Sequence, residues 1–416
     1  MNAKPTVCVV GSGGREHALA SVLARDARVV VTPGNPGIDG STDCPPHEIT
    51  ADLFVVGPEV PLVDGLADKL RAGGAAVFGP GADGAQIEGS KAWMKDLLAD
   101  AGVPTASHGS FTDRDQAQAF LASMGDLFVI KTDGLAAGKG VLVTESRTEA
   151  ENAVDQYLSG DAFGDAGRTV VIEEGLTGPE LSVFAVTDGN RSVPLAGAQD
   201  FKRLGDQDTG PNTGGMGAFS PVPAADATMV DLVMHDFVEP TVACLGRRGI
   251  DYRGVLFAGL MLTPSGPKLL EYNCRFGDPE TQVVLPRLES SLYELLLGAA
   301  TGQLGQDPDF SIDAMVTVVA ATERYPTQPR TGDDIVGLAD AAELPGVEVF
   351  YAGVGSGAHG GLVTAGGRVL NVTGRGATLA DARNRAYAGV EKISWPGMQY
   401  RTDIAQDAAV AGQSPG

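Results

Sequence analysis

Four short apolar runs in the first eighty or so residues constrain the fold more than anything else in this chain. Thr6 to Val10 closes at Gly11-Ser12-Gly13-Gly14, and Arg28 to Thr32 closes at Pro33-Gly34-Asn35-Pro36-Gly37. Leu53 to Val56 runs into Gly57-Pro58-Glu59, and Ala76 to Phe78 into Gly79-Pro80. A helix is expected over Arg15 to Ala24. Strands that are apolar at every position are buried on both faces, as a parallel sheet flanked by helices requires. Ligands of such sheets bind beyond the carboxyl ends of the strands, where these turns gather.

From Ser90 the pattern changes. A helix, Lys91 to Ala101, leads to longer strands and hairpins. Phe128 to Lys131 and Val141 to Thr144 bracket a Gly-rich loop, followed by a polar helix, Arg147 to Leu158, and a strand, Thr169 to Glu174. Leu181 to Thr187 and Ser192 to Ala196 flank Asp188-Gly189, the turn chemistry of a hairpin. Val255 to Leu262 and Lys268 to Asn273 form a second hairpin around Pro264-Ser265-Gly266. Met315 to about Tyr400 reads as βα-like again, and the small, polar end from Ala405 is expected to be disordered. At roughly 150 residues per domain, 416 residues make two to four.

Charge limits the partners. Lys+Arg is 30 against Asp+Glu 53, a formal net charge of −23. That balance argues against nucleic acid and anionic membranes, which require a basic face. It leaves room for a small basic pocket, so each of the nine lysines in or near a Gly-rich segment matters. Four scattered cysteines without a CxxC pair suit free thiols in a reduced cytoplasm. No signal-peptide core opens the chain, and no run approaches the roughly 20 apolar residues that span a bilayer.

Four segments carry chemistry. The loop Gly134 to Gly140 is not a P-loop, because three residues separate Gly134 from Gly138 and Gly140 follows Lys139. Between two strands it suits a flap over a triphosphate, with Lys131 and Lys139 meeting the charged oxygens; a solvated hairpin is the alternative. In the strand near 270, Glu271 and Asn273 share a face. Together they form a hard oxygen pair suited to Mg²⁺ shared with nucleotide phosphates. Arg275 extends that face as an anion fork, and a polar edge strand is the bland alternative. Asp208 to Gly217, after Gln199-Asp200-Phe201-Lys202-Arg203, holds too little apolar side chain for core, so it is a connector or an amide nest. In the N-terminal turn the third glycine of GxGxxG falls on Glu16, so a single phosphate fits there better than a pyrophosphate. His17 reads as a packed residue.

Together these segments closely resemble one family: phosphoribosylamine–glycine ligase (glycinamide ribonucleotide synthetase), in the ATP-grasp superfamily. The resemblance runs over about residues 6 to 402. It includes GSGGREHALA from Gly11, PGNPG from Pro33, VGPEVPLVDG from Val56 and FGPGADGAQIEGSKAWMKDLL from Phe78. It continues through IKTDGLAAGKGV from Ile130, VIEEGLTGPELS from Val171, DTGPNTGGMGAFSPVP from Asp208 and LEYNCRFGDPETQ from Leu270. It implies an α/β and α+β multidomain fold. A Rossmann-like N-terminal domain would span 1–88, an ATP-grasp domain 89–310 with a lid at about 103–175, a small α/β C-terminal domain 311–402, and a disordered tail 403–416.

The implied reaction, in the second step of de novo purine synthesis, joins glycine to 5-phosphoribosylamine through glycyl phosphate, consuming ATP. The resemblance assigns Glu271 and Asn273 to Mg²⁺ or Mn²⁺, and Lys91, Lys131 and Lys139 to ATP phosphates, with Gly138 and Gly140 in the flap. Glu173 and Leu176 would offer backbone groups to adenine, and Glu180 its carboxylate to the ribose. Arg275, Lys139 and Asp200 are the catalytic candidates. The 5-phosphate of phosphoribosylamine is placed near Gly13, Gly14 and Asn35, with Glu59 and Asp200 nearby, and glycine beside Gly214-Gly215-Met216. A cytoplasmic monomer without a fused second enzyme is expected.

Two departures stand out. Ile38 to Asp52 is a short bridge where the family usually has an additional helical segment. Leu256 to Leu260 lacks the extra metal carboxylate of the biotin-dependent carboxylases, as this family does. The competing readings are another ATP-grasp carboxylate–amine ligase or carboxylase of purine metabolism, and a dehydrogenase or non-catalytic Rossmann-type module resting on the N-terminal turn alone.

Overall fold

The computed structural model describes residues 4–135, 140–160, 168–358 and 360–411. The first sheet is parallel, in the order Arg28–Pro33, Thr6–Gly11, Leu53–Val56, Val77–Phe78. Val9 lies in register with both Val31 and Val55. The helix Gly14–Leu23 packs on the sheet through Leu19 and Leu23, both fully buried. Residues 38–52 form no strand; a 3₁₀ turn, Pro46–Glu48, and a single bridge from Ser41 to Val31 fill the space. Arg28–Pro33 therefore edges the sheet.

The helix Lys91–Ala101 begins at Ser90, whose hydroxyl caps Trp93 N–H at 3.1 Å. It ends at Gly102, which takes the left-handed conformation that favours glycine. An outer antiparallel sheet follows, ordered His108–Phe111, Val170–Glu174, Phe128–Thr132, Val141–Thr144. It has its own apolar core, in which Phe128, Ile130 and Ile172 meet Ala150 and Val154 of the helix Arg147–Leu158.

A second antiparallel sheet runs Ser192–Pro194, Glu180–Thr187, Gly254–Thr263, Gly266–Asn273. Glu271 opposes Gly259 while Leu269 opposes Leu260, so Leu270 is an extra residue bulged out of the ladder.

The last stretch alternates strands with helices as expected, but its sheet is antiparallel. Ala314–Ala321 lies inside a five-stranded antiparallel sheet with Gln199–Asp200, Gly217–Ser220, Arg368–Gly376 and Val347–Tyr351. Every residue of Ala314–Ala321 is buried. An unbroken apolar run reports cover on both faces, and that cover does not fix strand direction. Two strands of this sheet come from residues 199–220, so it crosses the boundary expected at 310.

The expected tail at 403–416 is corrected in part. Ile404 and Ala405 are buried, and Gln406–Ala411 is helical. Ile404 N–H donates to Tyr387 Oη at 3.1 Å, and Arg383 Nε donates to Ile404 O at 3.0 Å. The composition is that of a loose end, but one isoleucine seated against Gly217, where a Cβ would come within 2.7 Å of Ile404 Cδ1, holds it. Residues 412–416 lie outside the described residues. Among those described, no helix is long and apolar enough to cross a membrane.

Ile404→Ala empties this seat and is expected to cost about 2–4 kcal/mol in urea unfolding, the range for truncating a fully buried aliphatic side chain. No change in the midpoint would mean that the C-terminal segment is not part of the core.

Candidate active site

Glu271 and Asn273 stand on one face at the end of Gly266–Asn273, because the bulged Leu270 precedes both. No described residue hydrogen-bonds the Glu271 carboxylate. Burial works to raise its pKa, but Lys131, Lys202 and Lys91 together hold it below the usual range. Asn273 Oδ1 accepts from Arg275 Nη2 at 3.1 Å, leaving one lone pair of the oxygen. Arg275 Nη2 also pairs with Glu88 Oε1 at 2.8 Å, and its Nε approaches Glu59 Oε2 at 3.4 Å. Glu88 Oε2 in turn accepts from Cys274 N–H at 2.9 Å. Burial would raise Glu59, yet Arg275 keeps it below its ordinary value. Glu88 is pushed up, its burial outweighing the same guanidinium.

Above this strand end the outer sheet supplies charge. Glu173 is buried between two lysines, Lys131 at 2.8 Å and Lys95 at 3.0 Å. Lys95 also donates to Thr105 Oγ1 at 2.7 Å, and burial lowers it to about 8. Burial would lower Lys131 too, but Glu173 and Glu271 raise it above its usual value. Lys91, at the first position of its helix, donates to Gly134 O at 2.9 Å and is lowered by burial. Gly140 accepts from Thr132 N–H at 2.8 Å as the next strand begins. Gly138 and Lys139 lie outside the described residues. Leu176 is half-buried in the loop before Glu180–Thr187. Glu180 shares Lys202 with Asp200, whose Oδ1 is 2.8 Å from that ammonium.

At the substrate end, three of the expected residues are engaged by the protein itself. The Gly13 N–H donates to Glu16 Oε2 at 2.6 Å, so this turn is capped from within by a carboxylate. Both Asn35 amide hydrogens are engaged, by Ser12 O at 2.8 Å and Ala352 O at 3.1 Å, so Asn35 staples the two turns to the C-terminal strands. Met216 is fully buried, its N–H donating to Phe201 O at 2.7 Å and its carbonyl accepting from Val319 N–H at 3.0 Å. It faces the core.

The remaining glycines of that loop are close to the site. Gly14 is buried so tightly that a Cβ would meet Asn371 Nδ2 at 2.2 Å. Gly214 and Gly215 N–H groups are satisfied by Tyr325 Oη and Thr213 Oγ1, both at 3.0 Å, so the loop is not an open anion nest. Arg368 ties its carbonyls to Asp278 O, which it reaches at 2.8 Å. Gly215 packs on Pro279, and the next residue, Glu280, is a buried carboxyl raised to about 7 by burial and by Asp200. Asp200 is itself raised by burial in spite of Lys202.

Sequence reasoning assigned no role to Lys95, Glu88, Glu280 or Arg368. Lys95 alone left a signal, one helical turn after Lys91; the others meet the site only through tertiary contact.

Among the described residues no three His, Cys, Asp or Glu side chains cluster as a metal cage. Glu271 with Asn273 nevertheless fits a hard divalent cation: one unpartnered carboxylate and one amide oxygen, with the other ligands left to substrate phosphates.

An outer sheet whose Lys131 faces the last strand of a second antiparallel sheet, beside a helix bearing Lys91 and with a carboxylate–amide pair at that strand's end, defines an ATP-grasp enzyme. Models of the phosphoribosylglycinamide synthetase family match its N domain at residues 5–88, its ATP-grasp (A) domain at 89–281 and its C domain at 315–407. The chain belongs to this family. It is 49% identical to the phosphoribosylamine–glycine ligase of Rhizobium meliloti, over 96% of this chain and 97% of that one. It is 48% identical to that of Streptomyces coelicolor, over 97% and 100%. The crystal structure of the Thermotoga maritima phosphoribosylamine–glycine ligase superposes with a TM-score of 0.85 at 34% identity, covering 96% of this chain and all of that one. A Hydrogenobacter thermophilus biotin carboxylase domain, crystallised with magnesium ADP and bicarbonate, shares the fold alone, at TM-score 0.70 and 14% identity.

Glu173→Ala leaves two buried ammonium groups without their carboxylate. Breaking one partner out of such a network is expected to cost about 3–5 kcal/mol in denaturant unfolding. A loss under about 1 kcal/mol would mean that water already solvates Lys95 and Lys131.

Proposed function

We propose that this enzyme ligates glycine to 5-phosphoribosylamine, giving the glycinamide ribonucleotide, ADP and phosphate. Beyond family membership, the observation that carries this reading is the ring of Lys91, Lys131 and Lys202 around the unpartnered Glu271. Such a ring suits a polyphosphate and a cation, and no protein nucleophile is required.

Lys91 and Lys131, with Lys139 of the flap, bind the ATP phosphates and neutralise the charge that spreads over the transferred phosphoryl group. Gly138 and Gly140 let the flap backbone approach them. Glu173 and Leu176 present backbone to adenine, and Glu180 offers its carboxylate to the ribose. Glu271 and Asn273 would hold Mg²⁺ or Mn²⁺, whose positive charge would neutralise the phosphates. Arg275 keeps Asn273 oriented and presents its remaining N–H groups to the phosphoryl group as it passes to the glycine carboxylate. Gly214 and Gly215 border the glycine. Gly14 and Glu59 border the amine substrate, whose amine then displaces phosphate from glycyl phosphate. Catalysis is positioning plus charge neutralisation. The enzyme works as a cytoplasmic monomer on small molecules, without nucleic acid or membrane, in purine biosynthesis.

ADP release is expected only when ATP, Mg²⁺, glycine and freshly generated phosphoribosylamine are all present. Glu271→Ala is expected to lose about 100-fold or more, the scale of removing one charge-stabilising group. Turnover driven by bicarbonate in place of glycine would overturn the reading in favour of an ATP-grasp carboxylase.

A further inference from the structure

The geometry points to a further catalytic residue: Glu280, set against Asp200, accepts the proton that the attacking amine gives up as the amide forms. This rests on the ligase reading above.

Glu280 is only 4% exposed, and its carboxylate takes a hydrogen bond from its own backbone N–H but has no ion-pair partner within reach among the described residues. An unpaired buried carboxylate costs several kcal/mol unless something else offsets it. The residue sits in a wall, Phe276 to Gln282, that joins the two halves of the site. At one end Arg15 Nη1 donates to Phe276 O at 3.1 Å, and Asp278 Oδ2 lies 3.6 Å from where a Gly13 Cβ would stand. At the other end the wall continues directly from the strand carrying Glu271 and Asn273. Glu280 is thus between the turn that borders the amine substrate and the place where the carboxylate is activated. Gly277 makes room for it: a Cβ there would be 2.4 Å from Glu280 Oε2.

The charged groups facing Glu280 are Asp200 and Lys202 from the neighbouring strand end, Arg275 from its own segment and Arg368 from the C-terminal sheet. Burial and Asp200 outweigh the cations and put the carboxyl near 7, where a general base is most effective. Other carboxylates of the site are paired with a cation: Asp200 with Lys202, Glu59 and Glu88 with Arg275, and Asp278 with Arg368; His17 Nδ1 already accepts from Tyr351 N–H at 2.8 Å.

The chemistry balances. The amine nitrogen forms a bond to the acyl carbon, and the bond from that carbon to the phosphate oxygen breaks, its electron pair leaving with phosphate. The nitrogen, now cationic, passes one proton to the Glu280 carboxylate.

The test separates the two half-reactions in Glu280→Gln. Hydroxylamine in excess supplies its own base and traps glycyl phosphate as the hydroxamate. With hydroxylamine as a surrogate nucleophile in place of phosphoribosylamine, wild type should form hydroxamate and ADP from ATP and glycine; if it forms neither hydroxamate here nor amide with phosphoribosylamine, the ligase reading fails and this inference with it. Glu280→Gln should form hydroxamate within about twofold of wild type but lose about 100-fold or more in kcat with phosphoribosylamine, the scale of a missing general base. The wild-type kcat should fall as pH drops through about 7, and the variant should lack that limb. Asp200→Asn should move the limb to lower pH, because removing the neighbouring carboxylate eases ionisation of Glu280. Glu280→Asp, which keeps a carboxylate, should retain the limb and guards against a fold defect in the amide variant. Equal loss of both half-reactions, or a raised KM for glycine at unchanged kcat, would overturn the proposal in favour of a purely binding role.

Discussion

Arg275 is the constraint on which the rest of the site depends. One guanidinium serves Asn273 at the end of the central strand, Glu88 on the segment leading out of the N-terminal sheet, and Glu59 after the third parallel strand. A buried cation with two carboxylates is worth little as net stability, because desolvation offsets most of the attraction. Its worth lies in geometry. Removing the guanidinium would leave two carboxylates without their cation, so the parallel sheet and the strand Gly266–Asn273 are tied in one relative position. Glu173 does the same between Lys95 and Lys131, joining the outer sheet to the helix Lys91–Ala101.

These two locks divide the site by charge. Between them lie Glu271 and the lysines, an arrangement that favours polyphosphate and a cation. Beyond Arg275, toward the Gly214–Gly215 loop, lie Asp200 and Glu280, where burial favours uptake of a proton. Two opposite electrostatic settings thus lie a few residues apart on a single segment, Glu271 to Glu280, and the proposed carboxylate activation and amine attack would use one each. Neither step asks for a nucleophilic side chain, in keeping with four free cysteines, three of them buried.

Where local chemistry decided the structure, the sequence was legible. The helix Lys91–Ala101 has Ser90 as its cap and Gly102 as its stop, and its bounds follow from those two residues. The parallel strands end where Gly and Pro end them, and Asp188-Gly189 makes its hairpin. Legibility failed where tertiary contact decided. Ala314–Ala321 reads as a doubly covered strand of either direction. Glu16 looks like a missing glycine, yet its carboxylate fills the turn and takes the Gly13 amide. Met216 lies among five glycines and is core. Lys95, Glu88, Glu280 and Arg368 gain meaning only from partners far away in the chain, and no spacing rule announces them.

The central claim is that this site activates a carboxylate by phosphorylation before any nitrogen attacks. Glycine labelled with ¹⁸O in both carboxylate oxygens tests it most directly. If the account holds, each turnover with ATP and phosphoribosylamine delivers one ¹⁸O atom to the inorganic phosphate, read by mass spectrometry. Phosphate free of label, with amide formed at the normal rate, would contradict it.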